Sequence, residues 1–270
     1  MTPGMAGPLT ALGIVVRRAF DDQRRSILTW GLTLGTFGAF MAAIYPSVQD
    51  TITQVAKNYP SALAKAFDVN SMNSVEGYVN AEMFSIIVPM AIGLFAARSI
   101  MHPLVMAEEQ GQLDTILSLP LSRRVLVAGA FVVTSLLSAA ILGLGGVMIV
   151  VAGRLAGTGI DIGLVAAGVF GLWPLAIFFA GVSALAGGVL HRSASVTGVA
   201  VAVLVGMYIL DIAGRLTTAM EPLRTISVFK YYGSPMLDGI DVWAFIGVTA
   251  AAVVLVVAGA LLLERRDLRH

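Results

Sequence analysis

The hydrophobic positions of this chain come in long unbroken runs rather than in alternation. Six stretches contain no Asp, Glu, Lys or Arg: Ser26 to Gln49 (24 residues), Met83 to Ala97 (15), Val125 to Gly153 (29), Ile162 to His191 (30), Ser193 to Leu210 (18) and Val242 to Leu263 (22). A helix crosses the hydrocarbon core with about 20 apolar residues. The second run is short, but Arg98 can snorkel to the headgroups, which extends that helix. The pattern therefore predicts spans at about 27–47, 82–102, 125–152, 163–190, 194–212 and 242–263. The fourth contains Trp173-Pro174 and is expected to be one kinked helix, since neighbours can satisfy the backbone groups that proline frees. The expected fold is all-α: a polytopic membrane protein of about six transmembrane helices forming a single domain over 1–270.

Ahead of the first run, Leu9, Leu12, Val16, Ala19 and Phe20 recur at helical spacing, while Arg17, Arg18, Asp21, Asp22, Arg24 and Arg25 fall elsewhere. This predicts an amphipathic helix over 8–26, lying in the headgroup region. The run that follows is too long for a signal-peptide core and is read as a retained anchor. Segments 46–81 and 213–241 are expected to be external loops with short interfacial helices, Tyr231, Tyr232 and Trp243 suiting the membrane boundary.

Composition strengthens the membrane reading. Hydrophobic residues make up 57% of the chain and charged residues 12%, half the charged fraction of a soluble domain, and mean hydropathy is +0.88. The net charge of +1 argues against a nucleic-acid surface, and the absence of cysteine excludes disulfides and thiolate metal sites. With both termini in the cytoplasm, eleven of the 17 basic residues fall inside and six outside. The positive-inside rule selects that orientation.

Between the second and third spans, on the side the arginines mark as cytoplasmic, runs Ala107-Glu108-Glu109-Gln110-Gly111-Gln112-Leu113-Asp114-Thr115-Ile116-Leu117-Ser118-Leu119-Pro120-Leu121-Ser122-Arg123-Arg124. Met106, Leu113, Ile116 and Leu117 can share a helix face, with the acids around the rest, and Pro120 ends the helix. A short acidic helix over 104–119, held between two spans, would pass a push to both. The ordered set Glu108, Glu109, Gly111, Leu113, Asp114, Leu117, Pro120 and Arg123 resembles the permeases of ABC-2 type ATP-binding-cassette transporters. Ile116 stands where a leucine is usual, and Arg124 leads straight into the third span without the lysine often found later.

That resemblance implies a coupling helix that docks on a separate ATPase subunit through Glu108, Glu109, Gly111, Leu113, Asp114, Leu117, Pro120 and Arg123. It implies two ATPase copies, a second permease chain (identical or related), surrounding lipid, and export of an amphipathic or apolar substrate across a bacterial cytoplasmic membrane. No Gly-x-x-x-x-Gly-Lys-[Ser/Thr] phosphate cradle occurs, so ATP and magnesium are expected in the partner and no cofactor in this chain. No catalytic or metal-binding set is expected either. Gly31, Gly35 and Gly38 form a small-residue stripe that could pack permease against permease or within the chain. Asp211, one turn from Arg215 and close to Tyr208, is read as an ion pair at the outer boundary or as a gate or substrate contact. An ATP-independent secondary transporter would show paired broken helices and buried charges. A membrane-embedded enzyme would show Gly-x-Ser-Gly with a histidine on another helix, or His-Glu-x-x-His; Gly181-Val182-Ser183-Ala184 misses the last glycine, and the zinc motif is absent.

Overall fold

In a computed structural model, residues 8–58, 69–109, 123–190 and 192–265 are described. All the regular structure among them is helical. Helix α1 (Pro8–Gln23) is separated by a turn at Arg24 from α2 (Arg25–Asn58). A 3-10 turn (Val69–Asn73) leads to α3 (Val75–Val79), which passes through a π-turn (Asn80–Phe84) to α4 (Ile87–Glu109). Then come α5 (Arg123–Leu155), α6 (Ile162–Val189) and α7 (Ser193–Leu216). A 3-10 helix (Thr218–Ile226) and two short helices, α8 (Val228–Tyr232) and α9 (Pro235–Asp238), precede α10 (Val242–Arg265).

Among the described residues, five helices are long and apolar enough to cross a membrane. The pair Val75–Phe84 and Ile87–Met101, bent by 42° at the break, makes a sixth span if taken as one. The π-turn lies at this bend, and an inserted residue in the hydrogen-bond ladder is a recognised cause of bending. The chain is thus an all-α polytopic membrane protein.

Helix α6 occupies the centre because it is apolar on every side, and a helix of that kind has to be buried all round or face lipid. It continues through Pro174 as a single helix. Its strongest partnership is with α10. A Cβ on Gly181 would lie 2.8 Å from the Ala252 carbonyl oxygen, and one on Gly188 would lie 2.8 Å from that of Gly259. A Cβ on Gly259 would lie 2.5 Å from Ala184 backbone atoms. Since 181 faces 252 and 188 faces 259, the two helices run in the same direction. Backbones meet because no side chain stands between them, which is how helices associate in lipid.

The Gly31, Gly35 and Gly38 stripe is filled in the same way, by α5 of its own chain. Gly31 faces Leu144, Gly35 faces Gly145 and Met148, and Gly38 faces Ile149 and Met83. These positions are covered within the chain.

Helix α2 runs to Asn58, through Pro46 and beyond the apolar stretch. At 34 residues it is about 51 Å long, well over the core thickness of about 30 Å, so it projects past the bilayer. At the same end of the molecule Gly77 lies so close to the Ser71 carbonyl that no side chain fits. Glu76 accepts a hydrogen bond from the Asp161 N–H at 2.8 Å, and Asp161 in turn caps α6 by accepting from Leu164 N–H at 3.0 Å.

Candidate functional site

The segment after α7 folds back along that helix. Gly214 faces Arg224, Asp211 binds Arg224, and the Ser227 hydroxyl donates to the Met207 carbonyl at 2.7 Å. As the segment advances, its contacts retreat along α7 to Met207, about 13 Å before the helix ends. Phe229 then enters an apolar cluster with Phe179 (ring centroids 6.2 Å), Tyr208 (5.4 Å), Leu175, Leu204 and Val248. Residues 227–229 are therefore wedged among α6, α7 and α10, while the 3-10 helix before them lies along α7 with no buried residue.

An ion triad fixes this wedge. Asp211, 2% exposed, accepts from Arg215 Nε at 2.8 Å and from Arg224 Nε at 2.9 Å. A carboxylate in apolar surroundings is tolerated when charge-assisted hydrogen bonds replace its water, and here two guanidiniums share that task. The arginine side chains keep 26% and 23% exposure, which leaves their outer edges near solvent. One acid with two bases gives the triad itself a net charge of +1.

At the opposite end a buried polar chain joins three helices. The Thr134 hydroxyl of α5 donates to Ser99 Oγ of α4 at 3.0 Å, and Ser99 donates to Gln23 Oε1 of α1 at 2.6 Å. All three residues are buried. Two residues before Ser99, the Ala97 carbonyl accepts from the Ser183 hydroxyl of α6 at 2.6 Å. Arg124, at the start of α5, forms an ion pair with Glu264 near the end of α10. The N-terminal helix is thereby bonded to the two spans, α4 and α5, that lead into and out of segment 110–122.

The family described as the C-terminal domain of the multidrug efflux system permease Rv1217c matches residues 11–263. The chain belongs to that family. No curated protein matches it. This efflux permease is accordingly a transporter component, and its long helices are membrane spans.

The residues singled out in the permease sequence fall into three groups. Asp211 meets Arg215 as the i,i+4 spacing suggested, and Tyr208 lies one turn before it, packed on Phe229. Gly31, Gly35 and Gly38 line the α2–α5 contact. Of the coupling set, Gly111, Leu113, Asp114, Leu117 and Pro120 lie outside the described residues. Glu108 and Glu109 end α4 and Arg123 begins α5, so the backbone places them at the two mouths of that segment.

Sequence reading missed Arg224, Ser227 and Phe229, which carry no periodic signal and look like loop. It also missed the polar chain, although a clue existed. Gln23 stands three and four residues after Phe20 and Ala19, on the apolar face of α1, where a polar side chain needs a partner.

Proposed function

We propose that this efflux permease is the transmembrane subunit of an ABC-2 type ATP-binding-cassette exporter, coupled to a separate ATPase through segment 104–119. Two such chains, identical or related, would pair with two ATPase copies in a bacterial cytoplasmic membrane, with both termini inside. ATP and magnesium belong to the partner. Cargo is amphipathic or apolar, in keeping with the few charges along the spans; Asp211 is the one buried carboxylate among the described residues, and two arginines engage it.

The observation that carries this reading is where the acidic motif sits. Its Glu108 and Glu109 close one long helix and its Arg123 opens the next. Those helices are bonded to each other and to α1 through Ser99, Thr134 and Gln23. A force applied to the motif by a nucleotide-driven partner would move three helices together.

Co-expression of the permease with the candidate ATPase, followed by affinity pull-down, tests the assignment. Glu109→Lys reverses a charge and Gly111→Trp blocks close approach, so each is expected to lower recovered ATPase at least about tenfold, which corresponds to about 1.4 kcal/mol. Permease level in the membrane should stay unchanged. Full ATPase recovery with both variants would refute the coupling role.

A further inference from the structure

Pro174 interrupts the hydrogen-bond ladder of α6, because its ring has no N–H to give the Phe170 carbonyl. Pro174 and Gly171 form one wall of a cavity of about 20 Å³, faced by Tyr231 and Tyr232 of α8 and by Phe245 of α10. Gly171 creates the room: a Cβ there would press on Pro235 and come within 3.7 Å of the Tyr232 ring. The Tyr232 hydroxyl is buried, and no atom of the described residues takes its hydrogen bond. A buried polar group without a partner is uncommon and costs the fold free energy, so something else is expected to satisfy it. The cavity holds about one water-sized oxygen.

The surroundings restrict what that oxygen belongs to. Among the described residues the one carboxylate lining the cavity, Asp241, is exposed at the rim, and its Oδ1 accepts from Trp243 and Ala244 N–H at the start of α10. Beside the cavity, Phe170 stacks on Phe245 at 5.2 Å and on Trp173 at 6.3 Å. Phe170 is 57% exposed, so this aromatic face is open to an apolar body. A hydroxyl oxygen is small enough for that volume and accepts from the Tyr232 phenol.

We propose that this crevice is a recognition site for the hydroxyl of an amphipathic molecule, held by Tyr232, with the aromatic stack bearing its apolar part. The crevice takes a lone water when empty and exchanges it for the ligand's hydroxyl. That the ligand is cargo rests on the efflux reading above, whereas binding at Tyr232 does not.

Trp173 reports on the site in a variant whose other two tryptophans, Trp30 and Trp243, are replaced by phenylalanine. The purified full chain is titrated with decanol brominated next to its carbinol carbon, and with the O-methyl ether of that compound. Bromine quenches nearby tryptophan emission. The ether's added methyl does not fit a cavity of about 20 Å³, so its oxygen cannot reach Tyr232. The alcohol is therefore expected to half-saturate quenching at about fivefold lower concentration than the ether, the worth of one net hydrogen bond. Tyr232→Phe should abolish that preference while leaving a monodisperse protein. Equal titrations for alcohol and ether in the unsubstituted site, the result expected if only water occupies it, would overturn the proposal. So would a preference that survives Tyr232→Phe. If the preference holds but neither compound is exported, the site stands and its link to cargo falls.

Discussion

At the residue scale, most of the permease is apolar, so its few buried polar groups carry the specificity. Asp211 is the clearest case, since its two arginines lie four and 13 residues away. Only the first spacing is readable from a helix. Asp211→Asn keeps the shape but leaves two like charges side by side. Losing one member of a fully buried pair costs about 3–5 kcal/mol, and the partly solvated guanidiniums bring the expected cost to about 2 kcal/mol. The variant should therefore melt at lower temperature in detergent, and protease should cut between 217 and 232 more readily. A melting point and cleavage pattern identical to the parent's would show that the triad does not hold the wedge.

At the scale of elements, glycine decides which helices touch. The spacing of Gly31, Gly35 and Gly38 was legible, but the identity of the surface they meet was not. A small-residue stripe states that something comes close, and only three-dimensional packing states what. The α6–α10 contact makes the stronger test, because it is backbone against backbone. Gly259→Ala would set a methyl 2.5 Å from Ala184 backbone atoms, which no rotamer change relieves. Overpacking of this kind costs about 1–3 kcal/mol. On the same helix a Cβ at Gly247 meets nothing within 4 Å. In size-exclusion profiles Gly259→Ala should show reduced monodisperse yield, and Gly247→Ala should match the parent. Equal yields would mean that α6 and α10 do not pack so closely.

At the scale of the whole molecule, the charge pattern supports one orientation, and buried hydrogen bonds join α1, α4 and α5. The proposed orientation puts Gly111 on the cytoplasmic side and Met220 outside. Because the chain has no cysteine, single substitutions give an unambiguous label. Gly111→Cys should react with an impermeant maleimide only in inverted vesicles. Met220→Cys, at a position 46% exposed, should react in intact cells. The reverse result would invert the topology and remove the coupling segment from any cytoplasmic ATPase.

The division between what was legible and what was not follows from range. Whether a stretch enters lipid depends on its own composition, because each residue's transfer cost is set by its side chain and each backbone group must be bonded locally. The chain alone thus determined a helical membrane protein, the general position of its spans, an amphipathic helix ahead of the first, and the acidic motif between the second and third. Tertiary structure decided that residues 227–229 return between the spans, that Arg224 completes the Asp211 triad, that Gln23 reaches Ser99, and that the Tyr232 hydroxyl has no partner among the described residues. Those outcomes depend on shape and charge matching between residues far apart in the chain. Local periodicity carries no record of that matching.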